Sequence, residues 1–303
     1  MSNTSENNVS ACANCGKGEE AGINLKTCTA CKLVKYCSRE CQIAHRPQHK
    51  KACRKRAAEL FDEKLFKQPS QLYEDCPICM IRLPTLITGR TYMNCCGKVI
   101  CCGCIYAFKA RTDRRKGLLC PLCRTLASKS QEETRKKVEN RADLNDPIAI
   151  CDLGSYHNEG QWGLPQNHAK ALELWHRAAE LGSADAYYNI GIAHDSGSGV
   201  ERDETKANHY YELAAMGGDP YARHNLGAHE ARAGNWNRAL KHWVIAAKDG
   251  DTQSLNNIKD LYIDGNATKD DYEETLCCYQ LYVDEIKTDE RDKAAIHHGN
   301  SYY

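Results

Sequence analysis

The chain has 303 residues, 41 Lys and Arg against 40 Asp and Glu, and 19 cysteines. A polar N-terminus without an apolar signal core, and the lack of any run of about 18 apolar residues, argue against a secreted disulfide scaffold and a membrane span; the chain reads as soluble and intracellular, cytoplasmic or nuclear. Its near-zero net charge hides two opposite halves: residues 1–145 hold 27 basic and 14 acidic side chains, whereas residues 146–303 hold 14 and 26.

Residues 1–11 are polar and are expected to be disordered. A first ligand set follows: Cys12-x2-Cys15, Cys28-x2-Cys31, Cys37-x3-Cys41 and His49-x3-Cys53. Two residues between thiolates let both sulfurs turn toward one ion, so eight such ligands suffice for two tetrahedral zinc ions. Over residues 12–53 this order resembles the MYND zinc finger at every ligand position. The resemblance implies interleaved sites, Cys12, Cys15, Cys37 and Cys41 for one zinc and Cys28, Cys31, His49 and Cys53 for the other. His49 and Cys53 suit one face of a short helix that Pro47 helps to start, and His45 reads as an exposed histidine. Similar fingers dock short proline-containing peptides, but Arg46 stands where they often carry tryptophan. The competing reading is a zinc-stapled folding unit with no partner of its own.

Leu60, Phe61, Leu65 and Phe66 lie at helical spacing, which predicts an amphipathic linker helix over 54–72, ended by Gln68-Pro69-Ser70. The second ligand set occupies 73–127: Cys76-x2-Cys79, Cys95-Cys96, Cys101-x2-Cys104 and Cys120-x2-Cys123. This segment resembles a RING-type zinc finger. The resemblance implies a cross-brace with Cys76, Cys79, Cys101 and Cys104 on one zinc and Cys95, Cys96, Cys120 and Cys123 on the other. Lys98 occupies the place of the usual histidine, and an ammonium is no zinc ligand, so the neighbouring thiols Cys95 and Cys96 must complete the count. Gly97 eases the turn this demands. If either thiol fails, the second site is weak or empty. Cys102 is left over.

Similar RING domains recruit a ubiquitin-conjugating enzyme through a shallow apolar surface, and Ile78, Phe108, Pro121 and Arg124 match its positions. Arginine directly after the eighth ligand bridges conjugating enzyme and ubiquitin in active members of the family, using a planar fork that lysine lacks. The bland reading makes Ile78 and Phe108 small-core residues and Arg124 a solvated charge. Zinc-bound thiolates carry charge that a formal count omits: each four-cysteine site is −2 and the histidine-containing site −1, which lowers the basic half from +13 to about +6. The remaining clusters, Lys50-Lys51-Arg54-Lys55-Arg56 and Arg111-Arg114-Arg115-Lys116, have no aromatic stacking platform between them. They read as solvated faces and not as a nucleic-acid site.

Residues 128–145 predict a charged helical linker. From 146 to 287 an internal repeat appears, with Ala178-Ala179, Ala214-Ala215 and Ala246-Ala247 spaced by 36 and then 32 residues, and a fourth degenerate copy over Leu255–Ile286. Asp146-Pro147, Asp185, Asp219-Pro220 and Asp251 read as helix N-caps. Leu153-Gly154, Ile190-Gly191, Leu226-Gly227 and Gly197-x-Gly199-Val200 resemble Sel1-like repeats, relatives of tetratricopeptide repeats. The expected fold class is therefore small zinc-stapled modules followed by an all-α solenoid of helix-turn-helix repeats. Trp175, Tyr211, Trp243 and Tyr279 fall at one repeat position and predict a core spine. Cys151, Cys277, Cys278 and the scattered histidines of this half have no metal spacing. Residues 288–303 read as a tail.

Such solenoids bind proteins along a concave face and perform no chemistry. The sequence thus predicts four zinc ions, two per module, a conjugating enzyme on the RING, and a protein or peptide partner on the solenoid and the MYND finger. The reading is a RING-type E3 ubiquitin ligase with no covalent catalytic residue, its solenoid serving as adaptor. The alternative is a non-catalytic scaffold whose modules only bind proteins.

Overall fold

The computed structural model describes residues 11–18, 23–68, 74–112 and 118–298, and divides into two units at Lys67–Gln68. The predicted N-terminal disorder at 1–10, the helix stop at Pro69-Ser70 and the basic residues Arg114, Arg115 and Lys116 lie outside the described residues.

In the first unit, β1 (Lys26–Thr27) pairs antiparallel with β2 (Lys35–Tyr36), and one long helix, α1 (Arg39–Leu65), follows. Ser38 caps α1 by accepting from the Cys41 amide, and Glu40 sits in its first turn, where a carboxylate suits the helix dipole. The two helices expected here are one. Pro47 lies inside it and starts nothing, since the only helical bond it removes would have gone to the Ile43 carbonyl on an exposed side that water can serve. The small core holds Cys12, Leu25, Cys28, Cys31 and Tyr36, with Ala13, Ile23, Val34, Cys37, Cys41 and Cys53 against it, so cysteines supply half of it.

The second unit begins with the second cysteine module. A short 3-10 turn (Ile87–Gly89) leads into the antiparallel hairpin β3 (Arg90–Met93) and β4 (Lys98–Cys101), then α2 (Cys102–Arg111). Then come α3 (Gln131–Asp143), α4 (Pro147–Glu159), α5 (His168–Glu180), α6 (Ala184–Ser196), α7 (Glu204–Met216), α8 (Pro220–Arg232), α9 (Trp236–Lys248), α10 (Thr252–Ile263), α11 (Lys269–Ile286) and α12 (Asp289–His298). Six consecutive helices, α4 to α9, are each 13 residues long, as a repeated antiparallel pair requires.

Asp146, Asp219 and Asp251 cap α4, α8 and α10. The cap of α6 is Ser183, two residues before the expected Asp185, which lies in the first turn. In each of the first three pairs a first-helix glycine receives the ring of the second helix. A Cβ on Gly154 would stand 2.7 Å from Trp175, one on Gly191 2.6 Å from Tyr211, and one on Gly227 2.4 Å from Trp243. Trp175 Nε1 and Trp243 Nε1 then donate to the carbonyls of Cys151 and His224. In the degenerate fourth pair Tyr279 is only half-buried.

Two segments expected to be connectors belong to the body. Val138 and Ala142 of α3 are buried in the first-repeat core, so α3 caps the repeat stack. Residues 289–298, expected as tail, form α12, which lies against α2.

The hairpin of the cysteine module is fixed along the repeats. Tyr92 Oη donates to Asp146 Oδ2 at 2.7 Å, and Arg141 holds the same carboxylate. At the other end Arg82 pairs with Glu285 at 2.7 Å and with Asp249 at 3.7 Å, and stands 5.0 Å over the Tyr282 ring, whose hydroxyl accepts from the Thr85 amide. The basic and acidic halves of the chain meet in these pairs.

Candidate metal centres

Four of the five Cys-x2-Cys pairs, all but Cys101-x2-Cys104, make the same turn. The residue after the second cysteine is left-handed in all four: Gly16 (φ 72), Lys32 (φ 58), Met80 (φ 56) and Arg124 (φ 63). Its amide donates to the carbonyl of the first cysteine at 2.9, 3.0, 2.9 and 3.1 Å respectively. The first cysteine's amide bonds back to the chain as it returns, to Lys17, Val34, Ile81 and Thr125. This fold-back leaves both sulfurs on the inside of the turn. Only Gly16 announces it in the sequence; Lys32, Met80 and Arg124 take a conformation that usually costs a non-glycine residue about 1 kcal/mol.

The turns bring sixteen side chains into four groups, Cys12, Cys15, Cys37 and Cys41; Cys28, Cys31, His49 and Cys53; Cys76, Cys79, Cys101 and Cys104; and Cys95, Cys96, Cys120 and Cys123, with ligand atoms all within 4.8 Å of one another in each. Helices complete three of them. Cys41, His49 and Cys53 stand on α1, and Cys101 caps α2 by accepting from the Cys104 amide. The fourth is completed by the β3–β4 turn, where Cys96 and Gly97 both donate to the Met93 carbonyl and Gly97 is left-handed (φ 69). The neighbouring thiols Cys95 and Cys96 therefore reach one point from opposite sides, toward Cys123 at 3.4 Å and Cys120 at 4.0 Å.

Zinc at about 2.3 Å from four sulfurs needs sulfur–sulfur edges of about 3.8 Å. The observed edges fit: Cys15–Cys37 3.5 Å, Cys37–Cys41 3.6 Å, Cys28–Cys53 3.8 Å and Cys79–Cys101 3.9 Å. His49 offers Nε2 at 3.2 Å from Cys31 Sγ. Disulfides, by contrast, close to about 2.05 Å, and all nineteen cysteines are free.

One thiol in each group is drawn toward the thiolate that a metal needs. The thiol of Cys101 hydrogen-bonds Cys76 and, with backbone amides, brings it to about 4 against the opposing effect of burial. Burial raises Cys12 and Cys28, yet hydrogen bonds, chiefly from the amides of Cys15 and Cys31, bring both to about 6. Thr125, through side chain and amide, brings Cys123 to about 6.

Cys102 stands outside the groups, near Thr91 Oγ1 and the Thr88 carbonyl. Lys98 is exposed on β4. His45 is not the exposed histidine expected: its ring stacks on His49 at 5.6 Å and its Nδ1 meets Tyr36 Oη at 3.1 Å, bracing a ligand. In the repeats Cys151 is buried, Cys278 half-buried and Cys277 exposed.

Ile78, Phe108, Pro121 and Arg124, drawn from three separate segments, line one groove of about 650 Å³ beside the Cys76 group. Arg124 stands 5.9 Å over the Phe108 ring. Thr288 and Glu290, in the segment expected as a tail, also line this groove.

Residues 12–53 match the MYND finger family model, and residues 147–183 and 184–219 each match the Sel1 repeat model. The chain therefore carries a MYND finger and, after the second cysteine-rich module, a Sel1-repeat solenoid. Among curated proteins it is similar to the ERAD-associated E3 ubiquitin-protein ligase component HRD3B of Arabidopsis thaliana, 34% identical over 32% of this chain and 15% of that protein. It is also similar to chitin synthase regulatory factor 3 of Schizosaccharomyces pombe, 32% identical over 23% of this chain and 7% of that one. The chain thus spans a small part of these relatives' length. Among solved structures, a Sel1 repeat protein from Oxalobacter formigenes is 26% identical over 60% of this chain and 70% of its own (TM-score 0.47). A protective antigen of uropathogenic Escherichia coli with an SLR fold is 24% identical over 55% and 37% (TM-score 0.43). Among the described residues no helix is long and apolar enough to cross a membrane.

Proposed function

We propose that residues 73–127 form a RING-type module, that the four ligand groups hold four zinc ions, and that the protein is an E3 ubiquitin ligase acting inside the cell. The observation that carries this reading is the convergence of Ile78, Phe108, Pro121 and Arg124 on one groove beside a metal group. Zinc supplies folding energy and rigidity here, and no step of the transfer passes through it. Ile78, 41% exposed, with Phe108 and Pro121, offers a conjugating enzyme an apolar seat. Arg124, aimed by the left-handed turn that carries it, donates several fixed hydrogen bonds to the bound enzyme and its ubiquitin. That contact raises the rate by holding the thioester in its reactive orientation. The similarity to a protein named as an E3 ligase component agrees with this role.

The Sel1 repeats then serve as the adaptor for a protein substrate. Because the hairpin and Arg82 already occupy one face of the repeat stack, a partner binds on the surfaces they leave free. The acidic repeat half favours a basic or neutral partner segment. The second reading, a scaffold that only binds proteins, is favoured by Lys98 at the usual histidine position.

The test is reconstitution with activating enzyme, a panel of conjugating enzymes and ubiquitin, beside Ile78→Ala and Arg124→Ala. Chain formation that both substitutions abolish supports the ligase. Failure with every conjugating enzyme, or chains indifferent to both substitutions, leaves the scaffold.

A further inference from the structure

Arg291 of α12 is 1% exposed, deep inside the second unit. Its guanidinium reaches the carbonyls of Ile286 and Ile81, the latter at 3.4 Å, and Cys79 Sγ at 3.9 Å, while Nε has no partner. No carboxylate among the described residues forms an ion pair with it. A cation so buried costs several kcal/mol unless an anion offsets it. Among the described residues, the anionic group its guanidinium reaches is the Cys76, Cys79, Cys101 and Cys104 group, which carries −2 once it binds a divalent zinc.

The packing is built around this approach. Gly103, between the ligands Cys101 and Cys104, lies against Arg291 so closely that a Cβ there would stand 2.7 Å from its backbone nitrogen. Thr288 Oγ1 accepts from the Arg291 amide, Ala294 is fully buried, and His297 packs edge-on against Tyr106 of α2. Ile81 belongs to the loop that also carries Ile78.

We infer that Arg291 is a positioning residue of the first metal site of the second module, its guanidinium neutralising the metallated tetrathiolate and fixing the Cys76–Ile81 loop. The inference rests on the zinc reading above. Helix α12 is then part of the metal centre, reached from the far end of the chain across the whole repeat array. Groups that hold metal ligands from outside in this way typically change metal affinity by about 10- to 100-fold when removed.

The test uses the full zinc-loaded chain with a competing chelator and an alkylating reagent, and mass spectrometry to read each cysteine. Arg291→Met keeps the buried stem and removes charge and donors. It should make Cys76, Cys79, Cys101 and Cys104 react about 10- to 100-fold faster, with the other three groups at their wild-type rates. Arg291→Lys, which keeps the charge and loses the fork, should fall between. Unchanged rates for these four cysteines in the Met variant would overturn the inference. If the Met variant accelerates all sixteen ligands, the Lys variant decides: selective acceleration at these four supports it, and none overturns it. A wild-type chain free of zinc, with all sixteen unprotected, would instead remove the metal reading itself.

Discussion

The MYND finger and the second cysteine module use the same turn four times and the same number of ligands, yet they are stabilised differently. In the finger, cysteines make up half of the small core, and among the described residues its only sheet is a pair of two-residue strands. In the second module Asp146 also holds Tyr92 of the hairpin, Glu285 and Tyr282 hold the Arg82–Thr85 segment before it, and α12 packs on α2 after it. The same chemistry can therefore build a fold outright or staple loops onto an existing one. Which it does depends on how much apolar and polar packing surrounds it.

Metal removal tests this contrast most strongly. Structural zinc supplies about 10–16 kcal/mol in small fingers, more than a unit of this size can replace. A chelator should open residues 12–53 to proteolysis throughout, leave α4–α9 protected, and loosen only the knuckles of the second module. Equal resistance of both modules would break the comparison.

The repeat body, by the same logic, should respond to packing and not to metal. Trp243→Ala removes a ring seated on Gly227 and should cost about 3–5 kcal/mol of repeat stability by denaturant unfolding, with zinc content unchanged. A smaller effect is electrostatic. Burial, with Asp185 and Asp146 nearby, raises Asp152 from 3.8 to about 7. The folded chain thus holds a proton there that the unfolded chain has lost between about pH 4 and 7, and stability falls as pH rises through that window. Asp152→Asn should be near neutral below about pH 4 and stabilising at pH 8, read as melting curves across pH.

The smallest effect sharpens the difference between stability and function within one residue. Arg124 occupies a left-handed turn that glycine prefers, so Arg124→Gly should stabilise the last knuckle by up to about 1 kcal/mol while abolishing chain formation. Loss of both together would show that the arginine is structural.

The spacing of sixteen ligands and the period of the alanine pairs were legible because both are short-range patterns: chelation fixes cysteine spacing, and helix packing fixes alanine and glycine spacing. Gly154, Gly191 and Gly227 were legible as repeat positions, although not which ring fills each. Ser183 instead of Asp185 shows the limit of cap reading, since both residue types cap equally well and tertiary packing chose the earlier one. Contacts between distant segments left no local signal. Nothing near Arg291, Arg82 or Tyr92 marks a partner some 50 to 210 residues away. His45 was misread because its role depends on Tyr36 and His49, which only the folded finger brings beside it.

Zinc counted per chain, by elemental analysis of the purified protein and native mass spectrometry, bears most directly on the whole account. Four ions are predicted, and Cys76→Ser or Cys95→Ser should each make one of the two ions of the second module the first lost to a chelator. A count of two would leave the second module without metal, and with it the proposed ligase surface and the role of Arg291.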